Sequence, residues 1–381
     1  MKLYFNNSSR RLLILLMAAH TLGTIVAYKV YINLSSLGDG YASKDFLLTM
    51  EHHINEDLSY LTSTFVVQGI YHYLDKFLPG LLTPMALGMV VATVTWHAFR
   101  DVYTQINSKL FWICNLFPHF LIWTGSSSKE QIVIIFGTIV IGFAAKRSFA
   151  SSRLKITSLV FVFLSLAFIF LIRPNYFVIY FTIFLTSLFA PMLYKTKINR
   201  LSIGIWAFIF ILTTMGAIIF VSFNTTIFSK DMLDWMELVE SSFLVYDGGS
   251  NRYNIQWNSI LDFFYNSLWG IPQGFIGPTL FEAISKPIQF PVFLEGVVYL
   301  FILCYLFVRV IKLAYRYNML RANILPYFFV VLVIVFVSYP YLIFNAGSAL
   351  RIKQALHPVL IFYPLLILAY ARVNNLIRKK I

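Results

Sequence analysis

The sequence predicts an all-α protein: a polytopic transmembrane bundle of about ten helices, with both termini inside and a large, partly helical loop outside. Composition, apolar stretches and the placement of charge support this prediction. The 381-residue chain is 59% hydrophobic, with a mean hydropathy of +0.74. Such a composition is typical of an integral membrane protein, for which the usual domain count from chain length does not apply. We therefore treat residues 1–381 as a single transmembrane domain.

Ten apolar stretches approach the roughly 20 residues that a helix needs to cross a bilayer. They are residues 12–33, 78–99, 110–125, 131–145, 156–173, 175–193, 201–223, 290–308, 324–344 and 358–372. The fourth is short, and we expect its neighbours to extend it. The first follows basic residues like a signal peptide, but it lacks a clear small-x-small cleavage site, which favours a retained helix.

Charge alternates in sign from loop to loop. One side of the predicted topology collects 20 of the 30 Lys and Arg residues and one acid, Asp101, whereas the other holds 10 basic residues and 15 acids. The positive-inside bias assigns the basic side to the interior. The net charge of +14 is spread over short inner loops, which indicates anionic lipid headgroups as partners and excludes a nucleic-acid groove. No phosphate-binding loop motif supports an ATP-driven role.

Three outer segments carry part of the candidate residues. Residues 34–77 end in a stretch, 61–76, that predicts an amphipathic interfacial helix. Residues 224–289 form the largest loop, and 345–358 form the last one. Loops longer than about 15 residues in compact proteins usually serve a function, so the first two segments are predicted to be more than connectors.

Arginines at the ends of apolar segments are the first candidates. Arg173 precedes Pro174, which ends a helix, and Arg252 is predicted to begin a helix that ends near Trp269. A guanidinium group binds a diphosphate with bidentate geometry. The alternatives are a membrane-interface anchor for Arg173 and a solvated loop residue for Arg252.

The last outer loop places Arg351, Lys353 and His357 between two apolar spans. The spacing of the two cations does not put them on one helical face, so an extended or turn backbone is predicted. The imidazole of His357 titrates near neutrality and can take a proton from a sugar hydroxyl. The alternative is a helix-entry residue, because Pro358 follows it.

Four acidic positions complete the candidates. Asp39 lies in a Gly-Asp-Gly turn, where a plain turn is the alternative. Glu130 follows Lys129, and the two can form a local ion pair or line one cavity. Glu295 is the only acid well inside an apolar segment; it is a site candidate by default, and pairing with an arginine is the structural alternative. Glu51 adjoins two histidines, but no second ligand cluster follows, so no metal is expected.

Together these features resemble the Wzy-type polysaccharide (O-antigen) polymerases, bacterial inner-membrane glycosyltransferases with a GT-C-like fold. The resemblance runs over most of the chain, through short motifs in matching order and sidedness. They are Gly38-Asp39-Gly40-Tyr41, Phe117-Pro118 through Trp123 to Glu130, Arg173-Pro174, Arg252 before Trp257, Gly270 to Pro278, and Asn345-Ala346-Gly347 leading to Arg351.

The resemblance implies transfer of a growing glycan from undecaprenyl diphosphate onto the next lipid-linked repeat unit at the periplasmic face, without metal or cofactor and with a chain-length regulator as partner. The implied substrate-binding residues are Lys129, Arg173, Arg252, Arg351 and Lys353. The implied acid–base residues are Asp39, Glu130, Glu295 and His357. The alternatives are an O-antigen ligase and a lipid-linked oligosaccharide flippase or transporter; the latter needs charged or broken helices at mid-depth.

Overall fold

The computed structural model describes residues 7–30, 63–150, 155–195, 252, 255, 257–317, 338–339 and 342–378. Every regular element within these ranges is a helix, which confirms the all-α prediction. Contacts divide the chain into two compact units, Met1–Tyr180 with Gln354–Ile381 (unit 1) and Phe181–Lys353 (unit 2). The prediction of one domain over 1–381 stays a prediction.

Unit 1 contains the helices before Tyr180 and the last helix of the chain. They are α1 Asn7–Lys29, α2 Ser63–Phe77, α3 Leu82–Phe99, α4 Ser108–Asn115, α5 Pro118–Thr124, α6 Lys129–Ala150, α7 Ile156–Ile172 and the start of α8 Pro174–Lys195. The chain returns to unit 1 just before a π-helical turn, Pro358–Phe362, which leads into α13 Tyr363–Arg378.

Helix α6 is the centre of unit 1 and packs against α3, α7 and α13, while α1 packs against α3 and α5. Helix α6 buries apolar residues along its length: Val133, Ile134, Val140, Ile141, Ala144 and Ala145. In contrast, α7 exposes large hydrophobic side chains, among them Phe161 and Phe163. An exposed apolar face on a helix in a polytopic chain is the face that lipid solvates.

Unit 2 contains α9 Ile260–Ile276, α10 Leu280–Ser285, α11 Phe290–Tyr317 and most of α12 Ala346–Ala355. Helices α9 and α10 pack against α11. A small core forms from Ile255, Trp257, Tyr339, Ile343 and Phe344. Trp257 is thus a core residue of unit 2.

Four described helices are long and apolar enough to cross a membrane: Ser9–Lys29, Leu82–Phe99, Lys129–Ser148 and Pro287–Leu313. A fifth follows if the bent pair Ala346–Ala355 and Pro358–Val373 counts as one span. These helices agree with a membrane protein. The predicted spans 201–223 and most of 324–344 lie outside the described residues.

The prediction of one helix over 110–125 is wrong. Helix α4 ends at Asn115, and α5 begins at Pro118 after an extended Phe117 (ψ 123°). Proline has no backbone N–H, so it cannot continue a preceding helix. It is tolerated at the first helical position, where the N–H would have no partner within the helix, and α5 therefore starts there. The predicted stretch 61–76 does form a helix, α2.

Two further backbone predictions are wrong. Residues 346–355 form α12 rather than an extended or turn segment. Asn345 caps its first turn, since its Oδ1 accepts a hydrogen bond from the Ser348 N–H (2.9 Å). Arg252 does not begin a helix. It lies in irregular backbone, and α9 begins eight residues later at Ile260, where the Ser259 side chain accepts a hydrogen bond from the Asp262 N–H.

Candidate functional site

The turn between α5 and α6, residues 125–128, is the best-built polar feature of unit 1. We call it the serine turn. Its three serines, Ser126, Ser127 and Ser128, are all buried. Gly125 permits the close approach of α1, since a Cβ at this position would lie 2.5 Å from the backbone nitrogen of Thr24. The sequence therefore places hydroxyl groups in a tightly packed interior.

Two tyrosines from separate helices hold the serine turn. The Tyr28 hydroxyl of α1 donates to Ser127 Oγ (3.0 Å) and accepts from the Ser127 N–H (3.1 Å). The Tyr71 hydroxyl of α2 lies 3.0 Å from the Ser128 carbonyl and 2.9 Å from Gln131 Oε1. Burial raises the pKa of Tyr71 well above its ordinary value, so its hydroxyl stays a hydrogen-bond donor. Sequence reasoning missed both tyrosines, because nothing in the sequence of α1 or α2 indicates a polar partner for them.

An ion pair adjoins the serine turn. Arg173, at the end of α7, lies 2.8 Å from Glu130 Oε1 through its Nη2, and the two side chains are 32% and 2% exposed, respectively. Glu130 occupies the first turn of α6, where the helix dipole favours a carboxylate. The structure thus joins a predicted acid–base residue to a predicted diphosphate-binding residue.

The neighbours of Glu130 are also buried. Lys129 is 6% exposed and Gln131 is fully buried. The Gln131 amide donates to the carbonyl oxygens of Thr124 and Pro84 and fixes the start of α6 against α3 and α5. Glu130 pairs with Arg173, and the ion pair between the adjacent residues Lys129 and Glu130 stays a prediction.

In unit 1, the residues predicted to face the cell interior and those predicted to face outward lie at opposite ends of α6. At its last turns, Lys146 lies 2.7 Å from Asp101, and near them Arg372 of α13 donates to the Gln105 carbonyl (2.7 Å). The serine turn lies at the first turn of α6. A helix of 22 residues is about 33 Å long, close to the hydrocarbon thickness of a bilayer.

In unit 2, Arg252 is the centre of a buried network. Its guanidinium donates to both carboxylate oxygens of Glu282 (2.9 and 3.0 Å) and to the carbonyls of Ile343 (2.9 Å) and Gly277 (2.6 Å). The residue is 5% exposed. Four N–H groups are thereby taken up by the protein itself, so this arginine organises the fold of unit 2.

Glu282 is held in its charged form. Burial alone raises the pKa of its carboxyl, but hydrogen bonds from Arg252 and from Thr279 outweigh burial and lower the pKa below its usual 4.5. Thr279 and Glu282 also form a capping box at the start of α10. Sequence reasoning missed Glu282, although the Thr-x-x-Glu spacing after Pro278 was a readable signal.

Lys353 is buried (1% exposed), and its Nζ lies 5.0 Å from the centre of the Tyr299 ring, a cation–π contact. The carboxylate of Glu295 on α11 interacts electrostatically with the Lys353 ammonium group. The pairing of Glu295 with an arginine stays a prediction. Arg351 lies two residues before Lys353 on α12 and is half-buried.

His357 is completely buried in unit 1. Its ring stacks on Phe120 at 4.1 Å and meets the edges of Phe362 at 4.8 Å and Phe117 at 6.4 Å. His357 immediately precedes the turn Pro358–Phe362. The buried, aromatic setting therefore favours the helix-entry alternative over the role of a base. Asp39, the remaining acid–base candidate, lies outside the described residues.

Within the part of the chain that the structure describes, no group of three or more His, Cys, Asp or Glu side chains is placed to hold a metal ion. The sequence cluster at Glu51 lies outside that part. Comparison of the chain with protein-family models, with curated proteins and with solved structures gives no match.

Proposed function

We propose that this chain polymerises oligosaccharide repeat units carried on undecaprenyl diphosphate, at the periplasmic face of a bacterial inner membrane. In this proposal the chain crosses the membrane about ten times with both termini inside, and it works with a chain-length regulator. The observation that carries the proposal is the Arg173–Glu130 pair beside the serine turn, a partly exposed guanidinium on a buried carboxylate. It lies at the end of unit 1 that the charge pattern predicts to face outward.

Arg173 has the properties that a diphosphate site needs. Its side chain is one-third exposed and therefore reachable, while Glu130 holds one Nη in place. A planar guanidinium presents several N–H donors in fixed directions and matches phosphate oxygens better than a lysine does. Among the other predicted substrate-binding cations, Lys129, Arg252 and Lys353 are at most 6% exposed. Arg351 is half-buried and is therefore the further cation proposed to bind the substrate.

The proposed reaction is a direct displacement at the donor sugar. The hydroxyl oxygen of the acceptor repeat unit attacks the anomeric carbon of the donor glycan, and the bond from that carbon to the diphosphate oxygen breaks. The hydroxyl proton passes to a base, and undecaprenyl diphosphate leaves with the electron pair. Arg173 stabilises the charge that develops on the departing oxygen. Glu130, Glu295 and Asp39 are the proposed acid–base residues, and His357 is the weakest candidate because aromatic rings enclose it.

Deletion of the gene tests the reaction class. A polymerase deletion should leave a single repeat unit attached to its usual acceptor and abolish the long polysaccharide ladder on a gel. Loss of every attached repeat, with long lipid-linked chains still present, would indicate the ligase instead. Single lipid-linked units retained inside the cell would indicate the flippase.

Complementation with variants tests the site. Arg173→Ala and Arg173→Lys should both shorten or abolish the ladder, since a point charge does not reproduce the planar fork. Arg309→Ala, an exposed arginine on α11, is the matched control and should restore full chain length. Equal amounts of each variant in the membrane must be shown by immunoblot. A normal ladder from both Arg173 variants would overturn the diphosphate role.

A further inference from the structure

A cavity of about 570 Å³ lies in unit 1 between α3, α6 and α7, along the second half of α6, whereas the serine turn lies before its first turn. Four cationic side chains line it: Arg100, Lys146, Arg147 and Lys155. The only carboxylate among its lining residues is Asp101. The cavity is thus a basic pocket within a helical bundle, and we call it the basic cavity.

Asp101 does not neutralise the basic cavity. Its carboxylate lies 2.7 Å from Lys146 Nζ and 3.7 Å from Arg100 Nε, and a single negative charge opposes four positive ones. The pair with Lys146 is also half-exposed, so solvent screens it. An excess of positive charge therefore remains in the cavity, and the hydroxyls of the lining residues Thr157 and Ser158 add donors.

The other walls of the basic cavity are apolar. They are formed by Val94, Ile139, Phe143, Phe161 and Val162. Phe161 is 64% exposed, and its α7 neighbours Val160 and Leu164 are each 51% exposed. The cavity therefore continues onto the exposed apolar face of α7, along which a hydrocarbon chain can lie.

We propose that the basic cavity binds an anionic phospholipid, with the phosphate group among the four cations and an acyl chain along α7. Basic pockets between transmembrane helices favour anionic headgroups. A zwitterionic headgroup brings its own positive charge into a site that already has an excess, and a soluble phosphate leaves the apolar walls uncovered. This site lies at the end of unit 1 opposite Arg173 and is independent of the proposed transferase activity.

The test is a binding measurement on the purified full-length protein in detergent. Native mass spectrometry would count the lipid molecules retained after addition of phosphatidylglycerol, of phosphatidylcholine with the same acyl chains, or of inorganic phosphate. Phosphatidylglycerol should be retained, and the other two should not. Lys155→Ala should weaken the binding of phosphatidylglycerol about fivefold, since one cation near an anionic headgroup contributes about 1 kcal/mol. The double variant Lys155→Ala with Arg147→Ala should weaken it about twenty-fivefold.

Lys109→Ala is the matched control, because Lys109 is an exposed cation of unit 1 outside the basic cavity. It should bind phosphatidylglycerol as the unchanged protein does, and both cavity variants should keep the thermal stability of that protein. Equal retention of phosphatidylcholine, or an equal loss in Lys109→Ala, would overturn the site. Displacement of the lipid by millimolar phosphate would show that the cavity recognises the free anion and not a lipid.

Discussion

At the scale of single residues, two arginines that look alike in the sequence have opposite settings. Arg252 donates to a carboxylate and two carbonyls inside unit 2 and is 5% exposed, whereas Arg173 is one-third exposed beside Glu130. The sequence predicted both as boundary cations. The sequence could not distinguish their settings, since two partners of Arg252 are backbone carbonyls of distant residues, and every residue has a backbone carbonyl. Burial therefore decides which arginine is available to a substrate.

Arg252→Ala should lower the free energy of unfolding by about 3 kcal/mol, because it removes the buried donor of four hydrogen bonds to Glu282 and to the carbonyls of Ile343 and Gly277. SDS titration of the purified protein in mixed micelles measures this change. Arg309→Ala removes an exposed arginine and should change the unfolding free energy by less than about 0.5 kcal/mol. Equal stability of the two variants would show that the network does not hold unit 2 together.

The same network predicts a loss of stability in acid. The folded state lowers the pKa of Glu282 below 4.5, so its ion pair contributes fully above about pH 5 and is lost as the pH falls below 4.5. Glu282→Gln should be less stable than the unchanged protein at pH 7, and the difference should shrink at pH 3.5. Melting temperatures at the two pH values give the comparison. A constant difference would contradict an ionised Glu282.

At the scale of helices, the long apolar stretches predicted α3, α6, α7, α8 and α11 closely, because hydrophobicity over about 20 residues is a strong signal. The break between α4 and α5 was readable from Phe117-Pro118. Helix α12 was not predictable, since its polar sequence is typical of an exposed loop. Lys353 is buried on this helix, where its ammonium group makes a cation–π contact with the Tyr299 ring on α11. Such a contact between distant residues cannot be predicted from the local sequence.

Two glycines test how closely the helices pack. Gly296 of α11 faces the end of α9, and a Cβ at this position would overlap the Ile276 carbonyl oxygen. Gly296→Ala should therefore cost about 2 kcal/mol of stability, as overpacking does. Gly88 of α3 has no neighbour closer than 3.6 Å, so Gly88→Ala should be neutral or stabilising by up to ~1 kcal/mol. Denaturation of both variants compares them, and the opposite order would contradict the α9–α11 packing.

At the scale of the whole chain, charge sidedness was the most productive sequence signal. It predicted two classes of loop, and within unit 1 the contacts gather Asp101 and Lys146 at one end and Glu130 and Arg173 at the other. The predicted site was only partly assembled. The structure joins Glu130 to Arg173, but Asp39 lies outside the described residues, and the tyrosines that hold the serine turn gave no sequence signal.

Cysteine labelling tests the predicted sidedness. In a background with Cys114 and Cys304 replaced, Lys76→Cys on α2 should react with a membrane-impermeant maleimide in spheroplasts. Lys109→Cys should react only after the membrane is permeabilised, because the positive-inside bias assigns its loop to the interior. Both positions are exposed, so burial does not limit the reaction. The reverse pattern of labelling would invert the topology.

Reconstitution of the purified chain in liposomes tests the proposed polymerase most directly. Supplied with undecaprenyl-diphosphate-linked repeat units and no added metal, it should form glycans of several repeats and release one undecaprenyl diphosphate for each new bond. Arg173→Lys should form few or none, with the same amount of protein in the liposomes. Products that remain one repeat long, with no undecaprenyl diphosphate released by the unchanged protein, would contradict the proposed function.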